Sequence, residues 1–247
     1  MYATTLGMAF SMERASSAGR TFGATVSFAF GALAGWPFAL VAAVPFVLEE
    51  LFLAGSDHVK GGGWYVKRWM RGVAAALAAL ALAVPIAVVD SLAYGRVALV
   101  PLNTVLYNVL GRARGVSPDL YGTEPWHYYL VNLALNFGPA ALLALASIPA
   151  VLLTARRDSA RFSGAFSKSA ASAPLGSPPL LLLIMRLAPF YLWLCVLSLQ
   201  AHKEERFLYP VYPLVCFNAA VSVFVARALL EQGYLRVTRS PYRVRHY

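Results

Sequence analysis

The apolar positions of this chain fall in long continuous runs rather than in the alternating or 3.6-residue patterns of half-buried elements. Residues 22–48, 72–89, 128–155, 180–201 and 207–226 are nearly free of charge. A helix needs roughly 20 apolar residues to cross a bilayer, so each run predicts one crossing. Two shorter runs fall below that length. Residues 1–12 read as the back half of a helix whose front is missing. Residues 97–110, interrupted by Pro101, Asn103 and Asn108, have the length of an interfacial or re-entrant helix. The expected fold class is therefore an all-α integral membrane protein, with about five full spans, an N-terminal half-span and an interfacial helix.

Proline and charge punctuate the runs. Gly35-Trp36-Pro37-Phe38 should kink the first, because proline removes an internal hydrogen bond and clashes with the preceding turn. Residues 13–20 form a small polar turn before this run, and Glu49 and Glu50 close it. Pro210 and Pro213 break the start of the last run. Irregular backbone at membrane depth survives only where protein or a polar cavity satisfies it, so residues 209–213 should line something. Arg186 either snorkels from the fourth run or marks a later helix start. Gly61-Gly62-Gly63 has no preceding strand and no following Gly-Lys-Ser/Thr, which favours a flexible connection over a phosphate loop. Residues 156–179, rich in Ser, Ala, Pro and Gly, read as a flexible loop.

Composition strengthens the membrane assignment. Hydrophobic residues make up 59% of the chain and charged residues 13%, against about 45–50% and about 25% in soluble domains, and mean hydropathy is +0.61. The net charge of +10 does not point to nucleic acid, because the basic residues sit between apolar runs and do not interleave with aromatics on a polar face. They act as topology signals. Lys60, Lys67, Arg68 and Arg71, then Arg156, Arg157, Arg161 and Lys168, then Arg236, Arg239, Arg243 and Arg245 share one side on a five-span count. By the positive-inside tendency that side is cytosolic. Residues 1–229 then form the membrane module and 230–247 a basic cytosolic tail. The loop 90–127 and the turn 201–206 share the opposite face. Cys195 and Cys216 lie in apolar runs without metal or redox spacing and read as buried free thiols.

The turn His202-Lys203-Glu204-Glu205-Arg206-Phe207 carries the most pointed chemistry. It sets five titratable side chains between two apolar runs, and ionisable groups at a membrane boundary are costly enough to be functional candidates. His202, Lys203 and Arg206 suit a phosphate, lysine as a point charge and arginine as a fork. Glu204 and Glu205 orient or neutralise them. On the same face Asp90, Asp119 and Glu124 could accept hydroxyl protons, while Trp126, Tyr121 and Tyr128 offer flat faces and polar tips to a sugar ring. Structural roles compete: Trp126 as an interface anchor, Asp90 as a cap of the following turn. A lone His202 is no metal site. A secondary transporter would also use broken helices and intramembrane charge, but the sequence has no internal repeat.

The block His202-Lys203-Glu204-Glu205-Arg206-Phe207-Leu208-Tyr209-Pro210-Val211-Tyr212-Pro213-Leu214 resembles the signature of the glycosyltransferase family 22 mannosyltransferases. Asp90-Ser91 to Tyr94-Gly95-Arg96, Pro101-Leu102-Asn103, Asn108-Val109, Pro118-Asp119-Leu120-Tyr121-Gly122-Thr123-Glu124-Pro125-Trp126 and Gly35-Trp36-Pro37-Phe38 match in the same order. Within the family the resemblance runs to the α-1,2-mannosyltransferases of N-glycan assembly, with the enzymes of glycosylphosphatidylinositol-anchor synthesis as looser relatives. It implies a multi-span GT-C fold in the endoplasmic reticulum membrane with its site facing the lumen. It also implies dolichyl-phosphate-mannose as donor, a dolichol-linked oligosaccharide as acceptor, inversion at the anomeric carbon, and no metal or other cofactor. His202, Lys203 and Arg206 would meet the donor phosphate, and Asp90, Glu124, Trp126 and Tyr121 the sugar or acceptor. The family's acidic motif in the first lumenal loop has no counterpart here. On that resemblance the base is expected upstream of Met1, and the chain reads as the carboxy-terminal portion of a longer transferase or as an inactive membrane fragment of one.

Overall fold

Glycine and proline decide where the apolar runs break into separate helices. The computed structural model describes residues 2–13, 17–52, 63–110, 122–157 and 180–238, and they are helical throughout with short connections. Helix α1 (Tyr2–Ser11) packs antiparallel on α2 (Ala18–Leu33). The approach is close because glycine faces a neighbour at three levels. A Cβ on Gly31 would fall 2.5 Å from the Thr4 hydroxyl, and Gly7 and Gly23 sit against the rings of Phe28 and Phe10.

The run 22–48, expected as one kinked span, is instead a hairpin. Trp36 takes the extended conformation (φ −127°, ψ 116°) that a following proline imposes. The chain then continues as a 3₁₀ helix (Pro37–Ala43) and α3 (Val44–Phe52). With 16 residues, α2 rises about 24 Å, and the 3₁₀ helix and α3 return a comparable distance. The two ends of the hairpin meet: Arg20 at the start of α2 bonds Glu49 and Glu50 of α3 at 2.8 and 2.9 Å. Residues 17–20 therefore lie at the same end of the bundle as the start of α4, not opposite it.

Helix α4 (Trp64–Tyr94) is a 31-residue rod, about 46 Å long, and ends on Gly95 in the left-handed region (φ 63°). Helix α5 (Val100–Leu110) is the short helix expected at 97–110. The run 128–155 also divides. Gly138 has φ 53° and ψ −129°, a conformation open at low cost only to glycine, and Pro139 follows it. The result is α6 (Tyr128–Phe137) and α7 (Pro139–Arg157). Helix α8 (Leu180–Leu199), a second 3₁₀ helix (Glu205–Val211) and α9 (Tyr212–Thr238) complete the chain. Pro210 and Pro213 produce the expected broken entry, and α9 runs on past Ala226.

Among the described residues four helical stretches are long and apolar enough to cross a membrane: Tyr65–Tyr94, Pro139–Arg156, Leu180–Leu199 and Glu205–Glu231. The five-span expectation loses its first member to the hairpin. The core lies between α1–α3 and α6–α9, where Phe28, Phe46, Tyr129, Leu133, Phe190, Trp193, Leu208 and Val211 are buried. Cys195 and Cys216 are free but exposed, contrary to the expected burial. An apolar residue on a membrane helix can face lipid as well as core, so hydropathy alone does not place it inside.

Pro149 leaves the Leu145 carbonyl of α7 without its helical donor. Tyr191 of α8 supplies one: its hydroxyl lies 2.9 Å from that carbonyl, 3.0 Å from Ala144 O and 2.9 Å from Ser147 Oγ. A polar pin thus joins two helices where the backbone is broken.

Candidate functional site

The turn between α8 and the second 3₁₀ helix sits on an aromatic base. The indole of Trp193 on α8 donates to the Phe207 carbonyl at 2.8 Å. The Phe207 ring stacks on Trp36 with centroids 4.7 Å apart and planes at 21°, and Trp36 meets Trp193 edge-on. The Gly-Trp-Pro-Phe bend of the hairpin therefore backs directly onto the charged turn. The same ring meets His202, edge-on at 6.5 Å, and Arg206, whose guanidinium carbon lies 5.8 Å from the centroid.

On this base Glu204 gathers the cations. It accepts from His202 Nε2 at 3.1 Å and from Arg206 Nη2 at 2.9 Å, with Arg206 Nε also in contact. The hydrogen bond from His202, and then those from Arg206, hold its carboxyl below the ordinary glutamate range against the opposing effect of burial. Arg206 is the accessible cation, with its side chain 67% exposed. Glu205 turns elsewhere, accepting from Asn136 of α6 at 3.0 Å.

Lys203 faces inward. It is 6% exposed, and its ammonium donates to the Glu124 carbonyl at 2.8 Å and to the Gln200 carbonyl. Burial lowers its pKa below the usual lysine value, and the charge of Glu124 partly opposes this. Two more ties join the same segments. The Glu124 amide donates to Ala201 O at 3.0 Å, and His202 Nδ1 lies 3.1 Å from Gly122 O. The loop 122–127 is thereby fastened along the charged turn, with Glu124 and Trp126 exposed on it. Tyr129 at the start of α6 accepts from the Glu204 amide at 3.3 Å, and Tyr128 stands edge-on to it.

The structure thus brings His202, Lys203, Glu204, Arg206, Glu124 and Trp126 into one neighbourhood. Asp90 is not joined to it by a hydrogen bond among the described residues. It lies inside the last turns of α4, a helix packed on α2 and α3, so it does not cap the following turn. That role belongs to Ser91, which bonds the Ala98 amide at 3.1 Å. Asp119 and Tyr121 lie outside the described residues, as do Lys60, Arg161, Lys168, Arg239, Arg243 and Arg245.

A second charged cluster, at the opposite end of the bundle, was not anticipated. Arg20, Glu49, Glu50 and Arg68 are all 2% exposed or less. Arg20 donates to Glu49, to Glu50 and to the Ser11 carbonyl at 2.8 Å. Thr21 donates to Glu50 at 2.5 Å, Arg68 reaches Glu50 at 3.4 Å, and Arg71 lies 3.8 Å from it. Arg186 neither snorkels nor delays its helix. It points at Glu49 from 3.7 Å and bonds the Glu13 carbonyl. Glu49 and Glu50 are thus the buried partners of four arginines rather than a polar end to a span. The readable signal was the pair of carboxylates inside an apolar stretch, a placement that requires partners.

The fold and site define a multi-pass, all-helical membrane protein with a cationic turn and an exposed tryptophan fastened together at one end of the bundle. The chain belongs to the Alg9-like mannosyltransferase family, whose description matches residues 1–240. It is 42% identical over 181 residues to the alpha-1,2-mannosyltransferase ALG9 of Mus musculus, covering 73% of this chain and 26% of that protein. The alpha-1,2-mannosyltransferase alg9 of Schizosaccharomyces pombe is 36% identical over 165 residues, 67% of this chain and 25% of that protein. The GPI alpha-1,2-mannosyltransferase 3 of Danio rerio is 30% identical over 136 residues, 55% of this chain and 19% of that protein. The chain spans about a quarter of the length of the ALG9 relatives. No solved structure matches it.

Proposed function

We propose that this chain forms the donor-binding part of a mannosyltransferase of the endoplasmic reticulum membrane. The enzyme moves mannose from dolichyl-phosphate-mannose to a dolichol-linked oligosaccharide, in α-1,2 linkage, during N-glycan assembly. The observation that carries the reading is the accessible Arg206, oriented by Glu204 beside His202 and bordered by the exposed Glu124 and Trp126. The activity that the ALG9 relatives carry in their names supports it. The site faces the lumen, residues 1–229 are the membrane module, and 230–247 are a basic cytosolic tail.

In this reaction the acceptor hydroxyl oxygen attacks the anomeric carbon as the bond from that carbon to the phosphate oxygen breaks. Dolichyl phosphate leaves with the electron pair, and inversion follows from attack opposite the leaving group. Negative charge grows on the phosphate, where fixed cations contribute most. Arg206, with His202 beside it, meets that charge as a hydrogen-bonding fork. Trp126 offers its face, and Glu124 its carboxylate, to the sugar or acceptor. The hydroxyl proton leaves to a base that is not assigned among the residues named here.

The test is mannose transfer from labelled dolichyl-phosphate-mannose in microsomes depleted of their own Alg9-like enzyme. The 247-residue chain is compared with a full-length chimaera in which it replaces the matching segment of the Mus musculus relative. Each receives a dolichol-linked oligosaccharide and, separately, a glycosylphosphatidylinositol precursor, since the Danio rerio relative carries that activity in its name. Transfer to the oligosaccharide, with Arg206→Ala raising the donor KM at least tenfold, supports the reading. Failure of both chain lengths on the oligosaccharide refutes it, and transfer to the precursor alone reassigns the acceptor.

A further inference from the structure

We propose that Lys203 is a positioning residue: its ammonium clamps the Glu124 carbonyl to the Gln200 carbonyl and so sets the loop bearing Glu124 and Trp126 beside the His202–Glu204–Arg206 cluster. The inference rests on the transferase reading for its catalytic consequence, but the clamp itself is a matter of geometry. An anion arriving from solvent needs an ammonium that it can reach. Lys203 is 6% exposed, and its ammonium lies against two backbone carbonyls from segments 76 positions apart, Glu124 and Gln200. Arg206, three residues on, has the opposite disposition, with its side chain 67% exposed.

The clamp is the inner member of a set. The Glu124 amide bonds Ala201 O, and His202 Nδ1 lies 3.1 Å from Gly122 O, so residues 122–124 run along 201–203 with a tie at each end and the buried ammonium beneath. A buried cation requires acceptors, and each carbonyl it engages is thereby fixed. The burial that lowers the Lys203 pKa also excludes competing water from these bonds. Lys203 thus acts through Glu124 and Trp126, not on the phosphate.

Three substitutions separate a clamp from a charge. Lys203→Gln retains two donor hydrogens without charge, Lys203→Arg keeps the charge but replaces the compact ammonium by a longer planar fork, and Lys203→Met keeps neither. The first readout requires no activity: chymotryptic cleavage after Trp126 in permeabilised microsomes containing the full chain. A clamp gives at least tenfold faster cleavage in Lys203→Met and Lys203→Arg, with Lys203→Gln intermediate. Cleavage in Lys203→Met at the unsubstituted rate overturns the proposal, and where that variant fails to accumulate the Gln and Arg pair decides by the same order. In the enzyme active in the transfer assay, the clamp predicts that Lys203→Met and Lys203→Arg both raise the acceptor KM, with no rescue by arginine. A tenfold rise in donor KM in Lys203→Met, rescued by arginine, overturns it. If no version transfers mannose, the transferase reading fails while the cleavage result still judges the clamp.

Discussion

Replacing Arg20 by alanine tests the least expected feature of the fold, the charged cluster that closes the α2–α3 hairpin. In the folded protein the guanidinium is fully buried and bonds Glu49 at 2.8 Å, Glu50 at 2.9 Å and the Ser11 carbonyl at 2.8 Å. Breaking a buried pair by removing one partner costs about 3–5 kcal/mol, because the remaining charge is uncompensated. Here Arg68, Arg71 and Arg186 stand 3.4–3.8 Å from the two carboxylates and retain part of the compensation. The expected cost is therefore near the lower bound, about 3 kcal/mol, or on the order of a hundredfold in the folding equilibrium. The comparison is Arg227→Ala. Arg227 pairs with Glu231 at 2.7 Å, but the two side chains are 69% and 38% exposed, and such pairs are worth about 0–1 kcal/mol. Both variants are measured by reversible unfolding in mixed micelles, following tryptophan fluorescence against the fraction of denaturing detergent. A double-mutant cycle with Glu50→Gln should give a coupling of about 0.5–3 kcal/mol. If Arg20→Ala costs no more than Arg227→Ala, the ends of the hairpin do not meet as described, and residues 22–48 revert to a single crossing.

Three further outcomes follow from the same geometry. Tyr191→Phe removes the hydroxyl that meets the Leu145 carbonyl beside Pro149, and should lower stability by about 1–3 kcal/mol in the unfolding assay, the cost of a buried group left unsatisfied. Gly138→Ala forces a side chain into φ 53°, ψ −129° and should cost about 1–3 kcal/mol. An unchanged midpoint in either variant contradicts the corresponding break in α7 or between α6 and α7. The folded protein holds the Glu204 pKa below the ordinary glutamate value of about 4.5, so its contribution is fully present above pH 4.5 and is lost as pH falls through the lower folded value. Stability of the unsubstituted chain should therefore fall more steeply below pH 4.5 than that of Glu204→Gln. Parallel slopes would deny the His202–Glu204–Arg206 association.

The two halves of the candidate site were legible to different degrees. Charge density between apolar runs singled out residues 202–207, and the carboxylates and aromatic rings of residues 119–126 singled out that loop, before any contact was known. Their mutual attachment was not readable, because His202 and Gly122 are 80 positions apart and no periodicity encodes such a pairing. The division of labour among the cations was equally hidden. His202, Lys203 and Arg206 are equivalent as charges in a row, and only burial separates the inward lysine from the outward arginine.

Hydropathy by itself determined that this chain is helical and lives in a membrane, because uncharged runs near 20 residues leave a backbone no other way to satisfy its hydrogen bonds in lipid. It also determined where proline would break the entry to α9. The tertiary structure alone decided that Trp36 opens a return rather than a kink, that Arg20 finds Glu49 and Glu50 across 29 and 30 positions, and that the Gly-Trp-Pro-Phe bend lies behind Phe207. An apolar run records only that its residues avoid water. Whether the run crosses or turns back depends on buried charges whose partners lie far along the chain, and their pairing exists only once the helices have packed.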